Sequence, residues 1–273
     1  MNFCVCPERL IGDINIMIIF DTHAHYDDEA FDADREELLG NRLIKTVKNV
    51  TNIGCDMESS KASVELSGKY DYIYASIGVI PHHVGEMTEA DIEELRLLAK
   101  SSDKVVAIGE IGLDYHYDEP EKSLQHKWFL RQLELAGELG LPVVIHSRDA
   151  AQDTYELMKA AHAERIGGVV HCYSYSQEMA AEFLKMGFFF GIGGVVTFKN
   201  SKKLKRAVEF IPMENIVLET DSPYLTPSPF RGQRNDSSYL PYVVEEIARL
   251  KGLDPEEVAE ITYNNALRLY KIN

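Results

Sequence analysis

The chain has 273 residues, 45% of them apolar and 26% charged, a globular composition with enough length for one large core. Asp and Glu number 44 against 28 Lys and Arg, and the resulting net charge of −16 disfavours tight nonspecific binding of nucleic acid through a basic surface. Catalysis on phosphate esters stays open, because metal ions in a site supply local positive charge.

No run reaches the roughly 18 apolar residues of a membrane span, and no convincing secretory signal is present. Cys4, Cys6, Cys55 and Cys172 make neither a CxxC pair nor a disulfide framework. The expected compartment is therefore reducing and cytoplasmic. Residues 1–16 lack clear periodicity and are expected to be an N-terminal extension. A domain of residues 17–273 follows, with Met17 as a possible true start.

The apolar run 16–20 predicts a buried strand, with Asp21-Thr22-His23-Ala24-His25 just past its end. Side chains alternate along a strand, so His23 and His25 share a face. Phe31 to Leu39 predicts a helix ending at Gly40, and a second strand lies within Arg42 to Asn52. A helix over Ser59 to Leu66, a strand over Tyr72 to Ile77 and a helix over Glu89 to Lys100 come next. Thr88 and Asp91 give that last helix a capping-box pattern.

Lys104 to Ile108 predicts strand four, ending in Gly109-Glu110-Ile111-Gly112-Leu113-Asp114. A long helix from Lys122 to Leu139 closes at Gly140. Strand five ends at His146, a helix spans Asp149 to His162, and strand six ends at His171. A helix from Ser176 to Met186, strand seven at Phe188 to Phe190 and a helix from Ser201 to Phe210 precede strand eight, Asn215 to Leu218. That strand ends in Glu219-Thr220-Asp221, and helices at about Leu240 to Leu250 and Pro255 to Tyr270 close the chain. Eight short strands alternating with helices predict an α/β protein, a single (β/α)8 TIM barrel. Gly191-Ile192-Gly193-Gly194 reads as a tight turn rather than a nucleotide cradle.

In such a barrel the strand ends converge on one mouth, where active sites sit. Taken singly, each polar residue there has an ordinary reading as a capping or hydrogen-bonded group. Together, His23, His25, Glu110, His146, His171 and Asp221 make a donor set for two divalent ions, Zn²⁺, Mn²⁺ or Mg²⁺. A carboxylate can bridge two cations, which points to Glu110. A two-metal site polarises an ester and activates water, and Asp221 is the candidate to orient that water and take its proton. Glu219 either assists or supports from behind.

The sequence resembles the TatD-type metal-dependent hydrolases and deoxyribonucleases. The matching motifs are Phe20-Asp21-Thr22-His23-Ala24-His25, Gly109-Glu110-Ile111-Gly112-Leu113-Asp114-Tyr115, Val144-Ile145-His146-Ser147-Arg148, His171-Cys172-Tyr173-Ser174 and Glu219-Thr220-Asp221-Ser222-Pro223-Tyr224. Arg231-Gly232-Gln233-Arg234-Asn235 and Asn264-Asn265-Ala266-Leu267-Arg268 match later motifs. The resemblance implies a TIM barrel of the metal-dependent hydrolase type acting on phosphodiesters, an exodeoxyribonuclease in expectation. The acidic net charge makes DNA an expected weakly bound substrate, and the oligomeric state is left open with a monomer favoured. It implies one metal at His23, His25, Glu110 and Asp221, and the other at Glu110, His146 and His171.

One departure stands out: the family segment matching Gly78-Val79-Ile80-Pro81-His82 commonly carries histidine where this chain has Ile80. That puts substrate positioning in question and leaves the metal set intact. His82 is a candidate substrate contact. Arg234 is a candidate to bind phosphate, or to pair with Glu219 or Asp221. Lys199, Lys202, Lys203, Lys205 and Arg206 form a basic cluster, read first as a solvated helix face and second as a phosphate contact. Two other functions compete. A barrel amidohydrolase for a small ester, lactone or amide often has a modified lysine at the end of strand four, where this chain has Glu110. A binding protein with structural metals is usually cysteine-rich at its site, which this set is not.

Overall fold

The computed structural model describes residues 17–272, so the N-terminal extension expected over residues 1–16, with Cys4 and Cys6, lies outside the described residues. Eight parallel strands form one sheet in the order of the chain: β1 Phe20–Ala24, β2 Asn49–Ile53, β3 Ile73–Ile77, β4 Val105–Asp114, β5 Val143–Arg148, β6 Gly168–Val170, β7 Phe189–Ile192 and β8 Ile216–Leu218. The sheet nearly closes on itself. Ala24 bridges Ser222 beyond β8, the His25 N–H donates to the Ser222 carbonyl at 2.8 Å, and the Asp221 N–H donates to the His23 carbonyl at 2.9 Å.

Helices cover the outside: α1 Arg35–Glu37, α2 Met57–Lys69, α3 Glu89–Lys100, α4 Lys122–Leu139, α5 Ala151–Ala160, α6 Gln177–Lys185, α7 Lys202–Phe210, α8 Leu240–Lys251 and α9 Pro255–Tyr270. None of the described helices is long and apolar enough to cross a membrane. Between strands and helices, Ile73, Ile77, Ile108, Ile145, Phe190 and Leu218 pack with Leu95, Phe129, Phe183 and Ile247. Early residues of five strands (Phe20, Val106, Val144, Val169 and Val217) pack with Leu269 and Tyr270 of α9. This apolar plug fills the end of the barrel where the strands begin. The Tyr270 hydroxyl, buried there, donates to the Thr22 carbonyl at 2.7 Å.

Three local expectations are corrected. The predicted helix from Phe31 to Leu39 is a series of short turns, with a 3-10 turn at Glu29–Phe31, α1, and a π turn at Leu38–Arg42. The first strand starts at Phe20 rather than before it, so His23 lies inside β1 and His25 just past it. Strand four runs on through Asp114, so Glu110 is mid-strand. It can continue because its glycines let β4 approach β5: a Cβ on Gly112 would stand 1.9 Å from the His146 carbonyl oxygen.

Candidate metal centre

At the end of the barrel opposite the plug, five strands deliver the six expected donors to one place. β1 carries His23, with His25 following it. β4 carries Glu110, β5 His146, and His171 and Asp221 follow β6 and β8. His23 Nε2 stands 3.1 Å from His25 Nε2, and Asp221 Oδ1 lies 3.4 Å from His25 Nε2 and 3.7 Å from His23 Nε2. Ligands about 2.0–2.2 Å from one ion are about 3.0–3.5 Å from each other, so two sides of this triangle have the size a cation needs and the third is slightly long. Two imidazole nitrogens facing each other at that distance also need a proton or a cation between them.

Glu110 connects the two halves. Its Oε2 lies 3.4 Å from His23 Nε2, while its Oε1 lies 2.6 Å from His146 Nδ1 and 3.4 Å from His171 Nε2. One carboxylate thus turns an oxygen to each group of histidines. The rings of His23 and His171 stack at 3.6 Å between centroids, which brings the two groups together.

The residues behind the donors fix their orientation. His25 Nδ1 donates to the Ile53 carbonyl at 3.0 Å, leaving Nε2 for the site. His146 Nε2 meets Asp114 Oδ2 at 2.9 Å, leaving Nδ1 for Glu110. Glu219 sits behind His171, its Oε1 3.3 Å from His171 Nδ1 and accepting the Cys172 N–H at 2.6 Å. It is buried and outside the mouth lining, so of the two roles expected for it the supporting one fits its position. Gly191 makes room for it, since a Cβ there would be 1.9 Å from Glu219 Oε2.

The electrostatics follow from crowding carboxylates and imidazoles together. Burial alone would raise the Glu110 carboxyl, but His171 and His146 beside it hold it well below its ordinary range. Burial works against Asp221 too, and the hydrogen bond from His25 with the charges of His171 and His23 brings it down to about 2. Burial would lower His146, yet Glu110 and Asp114 push it up to about 10; Glu219 and Glu110 push His171 up to about 9 against the same cost. Burial and the neighbouring His171 lower His23. The cluster favours bound positive charge, as a divalent ion supplies.

Two residues near the donors escaped the sequence reading. Asp114, buried, is hydrogen-bonded to His146, and His82 Nε2 lies 3.0 Å from the same Oδ2. Its place in the quoted motif was the only signal. Cys55 lines the mouth with its Sγ 3.6 Å from His25 Nδ1, close enough to join a donor group with His25 and Glu110, and no local pattern marks it. His82 lines the mouth beside Ile80. Arg234 does not. Its guanidinium makes two bonds of 2.7 Å to Asp34 and one of 2.8 Å to the Ala30 carbonyl, correcting the expectation that it reaches phosphate, Glu219 or Asp221. Lys205 pairs with Glu246 at 2.8 Å and leaves the basic cluster.

A nearly closed eight-stranded barrel with histidines and carboxylates converging at its mouth defines a metal-dependent hydrolase. Comparison with known proteins makes the assignment specific: the model of the family described as TatD related DNase matches residues 20–271, and the chain belongs to that family. The chain is 45% identical over 256 residues to the metal-dependent hydrolase YabD of Bacillus subtilis, covering 94% of this chain and 100% of that protein. It is 35% identical over 260 residues to the metal-dependent hydrolase YcfH of Escherichia coli K12, covering 94% and 97%. Among solved structures, the TatD homologue YJJV of Escherichia coli K12 superposes with a TM-score of 0.88 at 29% identity, covering 94% of this chain and all of the other.

Proposed function

We propose that this hydrolase cleaves phosphodiester bonds of DNA, releasing nucleotides from a strand end, with two divalent ions in the cytoplasm of its cell. The observation that carries the reading is Glu110, whose two oxygens face separate groups of histidines 2.6–3.4 Å away. His23, His25, Glu110 and Asp221 are the donors for one ion, and Glu110, His146 and His171 for the other. The fit rests on donor separations of 3.1–3.7 Å around the first position and on the two buried imidazole Nε2 atoms of His23 and His25 that face each other at 3.1 Å. When bound, such ions act as Lewis acids on the phosphoryl group and lower the pKa of water.

The protein's own groups do the rest. Asp221 is partly exposed to the mouth and accepts the proton of the attacking water through its carboxylate. Glu110 holds the two ligand groups at a fixed separation. Asp114 fixes the ring of His146, and Glu219 that of His171. His82, with its ring edge toward Tyr117 at 5.0 Å between centroids, contacts the substrate from the β3 side. The family's description as DNases supports DNA as the substrate. A carboxylate at the strand-four position, rather than a lysine, favours this over a small-ester amidohydrolase.

The test is to incubate metal-loaded protein with end-labelled single- and double-stranded DNA and, in parallel, with a panel of lactones and carboxylic esters. Loss of label from DNA ends supports the proposal. Turnover of the panel with intact DNA contradicts it.

A further inference from the structure

The mouth is a cleft of two lobes that share His146, His171, Asp221, Arg148 and Tyr224. The lobes differ in charge. The one toward β1 and β2 is also lined by Asp27, Asp28 and Asp56. The other, toward β5 to β7, is lined by Ser147, Cys172, Ser174, Val195 and Leu225, with no carboxylate except Asp221. A polyanion leaving the reaction centre meets three further carboxylates on the first side and none beyond the shared Asp221 on the second.

Beyond the second lobe four cations gather, with the exposed Asp149 beside Arg148 and near Tyr175 as the opposing charge. The Tyr175 hydroxyl is 3.0 Å from Ser147 Oγ, and Lys203 Nζ stands 5.5 Å from the Tyr175 ring. In the turn before α7, Lys199 follows Phe198, whose ring is covered by the Arg231 guanidinium at 4.1 Å. Arg148, Lys199, Lys203 and Arg231 are exposed, and none is in a salt bridge among the described residues. Glu178 on α6 lies near enough to Lys203 to offset part of its charge. Tyr224, 56% exposed between the lobes, offers a ring face at the point where a strand would turn outward.

We propose that Arg148, Lys199, Lys203 and Arg231 form an exit path for a single DNA strand, which runs from the metal centre over the β5–β7 rim and never over the β1–β2 rim. This rests on the phosphodiester reading above and adds a direction to it. Against a net charge of −16 the path orients a strand more than it holds one, so affinity is low and strongly dependent on salt. The basic cluster at the start of α7 and in the turn before it thereby divides: Lys199 and Lys203 face the strand, while Lys205 is tied to Glu246.

The test compares two triple variants with equal charge change. One carries K199E, K203E and R231E. The other carries K45E, K48E and K100E, three exposed lysines at the opposite end of the barrel. Binding of a fluorescent single-stranded phosphorothioate oligonucleotide is titrated at several salt concentrations. Cleavage of an unmodified oligonucleotide and of bis(p-nitrophenyl) phosphate is measured with the metal-loaded proteins. The path variant is expected to lose at least about tenfold in affinity. Its log–log salt slope should fall by about 2, as three phosphate contacts on a single strand require. Oligonucleotide KM should rise accordingly while the small diester is cleaved at the native rate, and the control triple should match the native protein.

Equal losses in the two triples, or an unchanged salt slope in the path variant, overturn the path. Native protein that binds the oligonucleotide with the full slope but cleaves no phosphodiester keeps the path and removes the nuclease reading. Native protein that cleaves both substrates with no effect of the path variant keeps the nuclease reading and removes the path.

Discussion

The carboxylate of Asp21 accepts two hydrogen bonds from Thr220, from the backbone N–H at 3.0 Å and from the hydroxyl at 2.7 Å. It also accepts the Ser237 hydroxyl at 2.6 Å and the His23 N–H at 3.2 Å, all of them buried. This tie crosses the seam between β1 and β8, where the sheet has little backbone pairing, and so holds His23 opposite Asp221. Asp21→Ala leaves several buried donors unpaired at about 1–3 kcal/mol each, partly relieved by relaxation. The expected loss is about 3–5 kcal/mol in urea unfolding, with weaker metal binding. A loss under about 1 kcal/mol would show that the seam closes without Asp21.

Asp114 should act on metal binding rather than on folding. Its Oδ2 takes His146 Nε2 at 2.9 Å and so sets which ring nitrogen faces Glu110. Removing the outer partner of a metal-binding histidine typically costs 10–100-fold in affinity, on the order of 1.5–3 kcal/mol. Asp114→Ala is expected to lose affinity for one ion and keep the other. Equilibrium dialysis against a metal buffer checks it, and two unchanged affinities would remove Asp114 from the account.

How far the sequence carried the reading depended on how local the physics was. The ends of α3, α4 and α9 match expectation residue for residue because their signals are local: the Thr88–Asp91 box, left-handed Gly140 and the Asp254–Pro255 start. The strand positions of His23 and Glu110 were read too near the ends, because polar and glycine-rich stretches look like loops. Here they stay in the sheet, since Gly112 lets β4 lie against β5. The six donors were legible because each follows an apolar run. Cys55, Asp114 and the Asp34 partner of Arg234 were not, because contacts across 30 to 200 positions leave no local pattern.

The Lys205–Glu246 pair gives a pH test outside the metal centre. Hydrogen bonds from Arg249 and Lys205, partly opposed by burial, hold the Glu246 carboxyl at about 2, below its ordinary 4.5. A depressed carboxyl contributes stability that is full above its unfolded value and lost as pH falls through its folded one. Glu246→Gln should lower stability by about 1 kcal/mol at neutral pH, given the solvent-facing partners. The difference should shrink as pH drops from 4.5 toward 2. Thermal unfolding of both proteins at pH 7 and near pH 3 reads this, and a difference that grows in acid would reverse the sign.

The bridging role of Glu110 is tested most directly by metal content. Purified native, Glu110→Ala and Asp221→Asn proteins are loaded with Mn²⁺, desalted and measured by elemental analysis, with DNA cleavage followed beside it. On the proposed bridge, Glu110→Ala takes a donor from both ions and should bind clearly less metal and be inactive. Asp221→Asn keeps shape and one oxygen, so it should retain at least the ion held by His146 and His171, while turnover falls by about 10²–10⁴-fold for loss of the proton acceptor. Two full equivalents of metal on Glu110→Ala would contradict the bridge, and near-native turnover by Asp221→Asn would contradict its role as the base.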